Sequence, residues 1–95
     1  MKETPYIRSV APLEGTKLFV AFRNGEQRIL DLKPFIDGSE FFSELNDPEY
    51  FRQVRLVWGG HGIDWPHEQD LSKDTVYAES KELFVAPQSV SDLIQ

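Results

Sequence analysis

Polar and apolar positions alternate through the first third of the chain, which is the pattern of half-buried strands. Tyr6 to Val10 alternates and ends at Ala11-Pro12. This predicts a short edge strand, because proline donates no ladder hydrogen bond. Thr16 to Phe22 is the clearest strand, since every second residue from Leu18 is apolar, and Glu26 to Leu32 is predicted to be the return strand.

The dipeptide Asn24-Gly25 lies between these two runs and predicts a hairpin, because both residues tolerate a positive φ. A two-residue turn would place Val20 opposite Ile29. A three-residue turn with a bulge would pair Leu18 with Leu30. Since Ile29 and Leu30 are adjacent and both apolar, the pattern leaves both registers open.

Short helical pieces are predicted in the middle of the chain. Residues Lys33 to Ile36 favour a single helical turn, and Ser39 is a predicted N-cap for a turn over residues 40–45. Asp47 is a predicted cap with Pro48 at the first helical position. The aromatic residues of this region have the spacing of core packing rather than of a cofactor pocket.

A second alternating stretch begins at Val54 and ends at Trp58, which places Val54, Leu56 and Trp58 on one face of a predicted strand. Gly59 to Gly62 then turns the chain. Ile63 to Trp65 is predicted to return as a strand.

The last predicted helix begins at Asp70 or at Ser72 and continues through Ala78. Leu71 and Val76 are expected to point inward. Together these elements predict a small α+β fold, an antiparallel β-meander of about four to five strands packed with two or three short helices.

Residues 1–80 are predicted to form a single domain, and residues 81–95 a C-terminal extension. The apolar residues of this extension could order on a partner's groove or sheet edge. Alternatively, residues 83–86 could add a strand to the protein's own sheet. The candidate interaction residues are Leu83, Phe84, Val85, Leu93 and Ile94.

The charge distribution narrows the class of partner. The chain has 95 residues, no cysteine and a formal net charge of −6. Residues 31–50 carry six acidic groups and one basic group, a net of −5. An acidic chain repels phosphates, so direct nucleic-acid binding is not expected. The charge fits either simple solubility or a basic partner protein on the acidic half.

Neither a signal peptide nor a membrane span is expected. The N-terminus has no apolar core of the kind that a signal peptide needs, and the longest apolar run is too short to cross a membrane. The absence of cysteine fits a reducing compartment. We therefore expect a cytoplasmic protein.

The histidines and one aspartate form the only candidate polar site. His61, Asp64 and His67 are three residues apart, a spacing that could bind zinc on a helix. The neighbouring glycines and Pro66 predict a turn, a strand and a corner instead. We therefore expect no metal, no cofactor and no catalytic residue, and keep these three as the site only if a ligand exists. Asp64 could accept loop amides or face solvent, and both remain open.

Four segments in the same order resemble the bacterial domain-of-unknown-function family 2442 (DUF2442) over about residues 6–78. They are LFVAFRNGEQRILDLKPF, LNDPEYF, IDWP and DLSKDTVY. The resemblance implies a small α+β fold, which some relatives carry beside a helix-turn-helix domain. It also implies a partner encoded by a neighbouring gene, as in toxin–antitoxin pairs, and no established catalytic residues.

The sequence therefore predicts a cytosolic, non-enzymatic protein-interaction module, the antitoxin-like or regulatory half of a two-gene pair. The alternative is a small ligand-binding or enzymatic domain that uses His61, Asp64 and His67. The sequence leaves a homo-oligomer open.

Overall fold

The computed structural model describes residues 3–83, which form two antiparallel sheets and three short α-helices. The first sheet has the order β1-β2-β3-β7, with β1 Ile7–Pro12, β2 Lys17–Phe22, β3 Gln27–Asp31 and β7 Lys81–Glu82. The second has the order β4-β5-β6, with β4 Arg55–Val57, β5 Gly62–Asp64 and β6 Asp70–Ser72. The α-helices are α1 Lys33–Gly38, α2 Pro48–Phe51 and α3 Lys73–Glu79, and 3-10 turns cover Phe42–Asn46 and Trp58–Gly60.

This architecture confirms the α+β class and the edge position of the first strand. The described part has seven strands, which are divided between two sheets rather than joined in one meander. The additional strands are β6, whose residues were predicted to begin the last helix, and β7, which has only two residues.

The β2–β3 hairpin has the three-residue turn with a bulge. Leu18 pairs with Leu30, and the N–H of Gly25 donates to the carbonyl of Phe22 at 3.0 Å. Gly25 adopts a φ of +96°, and the side chain of Asn24 accepts from the N–H of Glu26 at 2.9 Å. The hydrogen bonds of the turn therefore decide the register that the apolar pattern left open.

A single hydrophobic core joins the two sheets. Leu18, Val20 and Phe22 are at most 1% exposed, as their alternation predicted. Ile7 of β1 and Trp65, the residue after β5, belong to the same cluster. Both sheets therefore depend on the same buried apolar surface.

The two predicted caps of the middle region have different outcomes. The carboxylate of Asp47 accepts from the N–H of Glu49 at 3.0 Å and caps α2, as predicted. The prediction for Ser39 is wrong, since Phe41 occupies the cap position of the 3-10 turn. The carbonyl of Ser39 instead accepts from the N–H groups of residues 42 and 43, so its backbone rather than its side chain begins the turn.

Of the two proposed starts of the last helix, Ser72 is correct. Its hydroxyl accepts from the N–H of Thr75 at 3.3 Å and caps α3. Asp70 belongs to β6. Leu71 and Val76 are buried, as predicted.

The C-terminal end of the described chain is attached to the first sheet. Lys81 pairs with Ile29, and the N–H of Leu83 donates to the carbonyl of Gln27 at 2.8 Å. Phe84, Val85, Leu93 and Ile94 lie outside the described residues, so the boundary at residue 80 stays a prediction. The longest of the described helices, α3, has seven residues, and none there is long and apolar enough to span a membrane.

The backbone of Gly60, in the turn before β5, lies very close to the backbone of Ile7 in the first sheet. Its φ is +100°, and a Cβ at this position would collide with the carbonyl oxygen of Ile7 and lie 3.1 Å from its backbone nitrogen. Only glycine allows both this conformation and this approach. The turn that follows β4 is therefore seated directly on β1.

We expect Gly60→Ala to lower the free energy of unfolding by about 2–5 kcal/mol, because a left-handed alanine is combined with a backbone collision. Gly59→Ala is the matched control. Gly59 also has a positive φ, of +62°, but its Cβ would meet nothing within 4 Å, so we expect a loss of about 1–2 kcal/mol. Urea denaturation measures both, and equal losses would contradict the close approach.

Candidate functional site

The turn between β4 and β5, residues 58–61, carries a solvent-exposed tryptophan; we call it the Trp58 turn. The indole of Trp58 is 78% exposed. The predicted strand does not extend to Trp58, and of Val54, Leu56 and Trp58 only Val54 packs against the core. β4 ends at Val57, and the backbone becomes left-handed at Trp58, which removes its side chain from the alternation.

Three elements hold the Trp58 turn in place. The guanidinium of Arg23 donates to the carbonyl of Gly59 at 3.3 Å from the β2–β3 hairpin. The N–H of Lys73, at the start of α3, donates to the carbonyl of His61 at 2.7 Å. The ring of Tyr6 lies edge-on to the His61 imidazole, with centroids 4.7 Å apart. The exposed indole is therefore presented by a fixed backbone.

A groove of about 470 Å³ adjoins the indole and is formed by β4, the Trp58 turn, β5 and β6. Two of its lining residues, Ile63 and Leu71, belong to the core. Its apolar lining residues are Val57, Trp58, Ile63 and Leu71, and its polar ones include His61, Asp70 and Ser72. The turn thus combines a projecting aromatic side chain with a mainly apolar depression.

The conformation of Trp58 costs stability. Its φ is +48°, in the left-handed region that bulky residues rarely adopt. Such a conformation costs about 1–2 kcal/mol per residue. Burial of the Trp58 side chain offsets little of this cost, because most of the indole is exposed. Backbone strain of this kind is concentrated at binding and catalytic sites.

Asp64 forms an ion pair rather than capping a loop or facing open solvent. Its carboxylate accepts from Nε of Arg55, its cross-strand partner, at 2.7 Å. The Asp64 side chain is 21% exposed and that of Arg55 is 67% exposed. The hydrogen bond from Arg55 to Asp64 raises the pKa of the guanidinium.

His61 and His67 are in different environments. His67 stacks on the ring of Tyr50, with centroids 4.9 Å apart, and its Nδ1 lies 2.5 Å from a carboxylate oxygen of Glu44. His61 packs on Tyr6 and lines the groove, which neither Asp64 nor His67 lines. Within residues 3–83, no group of three or more histidines and carboxylates could hold a metal ion.

A buried polar network that the sequence did not reveal fixes the loop between β5 and β6. Gln69 is completely buried; its Oε1 accepts from the Tyr50 hydroxyl at 2.6 Å. Its Nε2 donates to the carbonyl of Phe41 and to Oε1 of Glu44, both at 2.9 Å. The Tyr50 oxygen also accepts from the N–H of His67 at 2.7 Å. These bonds tie the loop to α2 and to the neighbouring 3-10 turn.

The protonation states of this network fit its hydrogen bonds. Burial is the main cause that raises the pKa of Tyr50, so its hydroxyl keeps the proton that it donates. The hydrogen bond from Gln69 is the main cause that lowers the pKa of Glu44 below 4.5. The network therefore has a structural role.

The predicted interaction tail is only partly within the described chain. Leu83 is 39% exposed, and its backbone is bound to β3. Phe84, Val85, Leu93 and Ile94 are beyond the described range. Partner binding by these residues stays a prediction.

Comparison with known proteins gives one match. A family model described as "Protein of unknown function (DUF2442)" matches residues 7–82, most of the chain, and agrees with the segments that suggested the resemblance. None of the curated proteins and none of the solved structures matches the chain.

We expect Tyr50→Phe to lower the free energy of unfolding by about 1–3 kcal/mol. The change leaves the buried Oε1 of Gln69 without its donor and the N–H of His67 without its acceptor. Urea denaturation at neutral pH measures the loss. A loss below about 0.5 kcal/mol would contradict the network, since that is the size of an ordinary surface substitution.

The same network predicts that the stability of the folded protein depends on pH through Glu44. Because the pKa of folded Glu44 is below its unfolded value of 4.5, its contribution to stability is present above pH 4.5 and is lost as the pH falls through the folded pKa. The difference in melting temperature between wild type and Glu44→Gln should therefore narrow as the pH falls below 4.5. In a Gln69→Leu background the narrowing should be weaker, and equal narrowing in both would contradict the role of Gln69.

Proposed function

The chain belongs to the DUF2442 family, proteins of unknown function, and we propose that it is a non-enzymatic protein-interaction module that docks a partner on the Trp58 turn and its groove. The observation that carries the proposal is the 78% exposed indole, held by a fixed and strained backbone beside an apolar depression. A partner that covers the indole would recover the apolar burial that the free chain forgoes.

The chemistry of the surface favours a protein partner. Tryptophan is enriched among the residues that contribute most to binding in protein interfaces, because its large apolar body fits a pocket and its N–H can donate. Val57, Ile63 and Leu71 add apolar area to the groove next to Trp58. Contiguous exposed apolar area of this kind marks interaction sites in soluble proteins.

Binding is favoured over catalysis by the positions of the reactive side chains. His61 packs on Tyr6, whereas Asp64 and His67 have charged partners on other elements. General acid–base chemistry requires such groups to converge on one reacting atom. The separation supports a binding role over the alternative of an enzyme that uses these three residues.

The product of an adjacent gene is the partner that the family resemblance suggests. In this arrangement the chain would be the antitoxin-like or regulatory half of a cytoplasmic pair, and it would restrain its partner by covering a surface. The tail candidates Leu83, Phe84, Val85, Leu93 and Ile94 would extend the same recognition.

We expect Trp58→Asn to weaken partner binding by at least about 30-fold, the loss typical of an interface hot spot. Asparagine tolerates the left-handed conformation, so the free energy of unfolding should stay unchanged or rise by up to about 1 kcal/mol. Isothermal titration with the adjacent gene product measures the affinity, and urea denaturation measures the stability.

The matched control is Leu13→Asn, which removes another exposed apolar side chain, 42% exposed, from the β1–β2 loop. It should leave the affinity unchanged. Equal affinity of the Trp58→Asn variant and wild type would contradict docking at the turn. If the adjacent gene product fails to bind wild type, the two-gene part of the proposal is wrong.

Removal of residues 84–95 tests the tail while keeping the pairing of β7 with β3. If the tail recognises the partner, the affinity should fall and the melting temperature should not change. A large fall in melting temperature would instead assign the tail to the domain's own packing. Thermal denaturation and titration of the shortened chain decide between the two.

A further inference from the structure

A second exposed aromatic surface lies between α1 and α2, and we call its three residues, Phe35, Phe41 and Phe42, the Phe41 ledge. Phe41 is 51% exposed. Its ring is T-shaped to that of Phe42, with centroids 5.6 Å apart, and Phe42 lies 5.9 Å from Phe35. Phe35 and Phe42 pack against the core, so the exposed ring rests on an anchored aromatic base.

A buried side chain holds the backbone of the Phe41 ledge in place. The carbonyl of Phe41 accepts from the buried side chain of Gln69 at 2.9 Å. The same nitrogen of Gln69 also donates to the carboxylate of Glu44 at 2.9 Å. One buried amide therefore holds an exposed aromatic residue and an ionised carboxylate next to each other.

The segment that holds the Phe41 ledge has a large excess of negative charge. Residues 34–51 contain five acidic side chains and no lysine or arginine. All five are exposed: Asp37, Glu40, Glu44, Asp47 and Glu49. Lys33 and Arg52 flank this segment. Two of the five carboxylates already have a partner, since Asp37 lies 3.3 Å from Lys33 and Glu44 lies 2.5 Å from His67. A surface with one sign of charge attracts the opposite charge on a partner and repels the wrong partners.

We propose that the Phe41 ledge is a docking surface for a cationic amphipathic segment of a partner protein. An apolar side chain of that segment covers the rings of Phe41 and Phe42, and its lysine or arginine side chains pair with the surrounding carboxylates. A guanidinium placed over the exposed ring would add a cation–π interaction. This surface is built from other elements than the Trp58 turn, so it extends the proposed function without depending on it.

Charge excludes the other occupants. In a symmetric contact between two copies, each patch meets itself, which would place the five carboxylates against five more. Nucleic-acid phosphates and anionic lipid headgroups meet the same repulsion. A basic protein segment is the occupant for which both the aromatic and the acidic parts of the surface are favourable.

The experiment uses a short fluorescein-labelled helical peptide of leucine and lysine, titrated with the full chain at about 0.1 M salt and followed by anisotropy. Phe41→Ser should weaken binding by about tenfold, the loss expected when an anchoring aromatic residue is removed. Glu40→Gln/Glu49→Gln should weaken binding by about fivefold and reduce its salt dependence.

The matched control is Glu14→Gln/Glu79→Gln, which changes the net charge equally at exposed positions in the β1–β2 loop and on α3. It should weaken binding by less than about twofold, because charges beyond about 10 Å are largely screened. Equal losses in the two double variants would overturn the proposal, since binding would then follow net charge alone. Unchanged affinity of Phe41→Ser would overturn it as well.

Two further titrations separate this proposal from the first one. A peptide with glutamate in place of lysine should not bind wild type, and equal binding of both peptides would overturn the charge argument. Trp58→Asn should bind the lysine peptide as wild type does. If Trp58→Asn loses affinity and Phe41→Ser does not, the peptide docks on the Trp58 turn and the Phe41 ledge is not its site.

Discussion

The contact of Gly60 with the backbone of Ile7 is the constraint on which the arrangement of the two sheets depends. It brings the turn after β4 onto β1 at a distance that any side chain at position 60 would prevent. Trp58, Gly59 and Gly60 all have a positive φ, so the left-handed stretch that ends at this contact begins at Trp58. The exposure of the indole is therefore coupled to the packing of the sheets, because the backbone that seats Gly60 also turns Trp58 outward.

The buried polar side chains of Gln69 and Trp65 have structural roles. Gln69 satisfies its amide with Tyr50, Phe41 and Glu44 and fixes the loop before β6. Trp65 donates its indole N–H to the carbonyl of Phe51 at 2.9 Å, so the other tryptophan is wholly structural. In contrast, Trp58 and Phe41 are large aromatic residues in water on backbones that these interactions make rigid. A chain that keeps such residues outside its core forgoes stability, and the two docking surfaces proposed above would account for both.

The turns, caps and strand faces that depend on neighbouring residues were predicted best from the sequence. The Asn24-Gly25 hairpin, the Asp47 cap and the alternating face of β2 each depend on a few neighbouring residues. The register of the hairpin did not follow from the apolar pattern, because Ile29 and Leu30 fit either face and hydrogen bonds within the turn decide. β6 was missed because Asp70 and Ser72 are both typical helix starts, and β7 was missed because two residues have no period.

The candidate site was harder to predict because it depends on contacts distant in sequence. Even spacing of His61, Asp64 and His67 suggested one site, yet each finds a partner on another element: Tyr6, Arg55 and Glu44 respectively. Trp58 was assigned to a strand face by its alternation with Leu56. The glycine pair after it was the available signal that the strand ends there, but only the approach to Ile7 fixes the direction of the side chain.

The most direct test of this account is the environment of Trp58 in the free protein, taken from the fluorescence of wild type minus that of Trp58→Phe with an acrylamide quenching series. The account predicts that this difference has the emission of a tryptophan in water and is readily quenched, while the remaining signal from buried Trp65 is protected. A blue-shifted difference that resists quenching would contradict it, because Trp58 would then already be covered in the free chain and would not be held open for a partner.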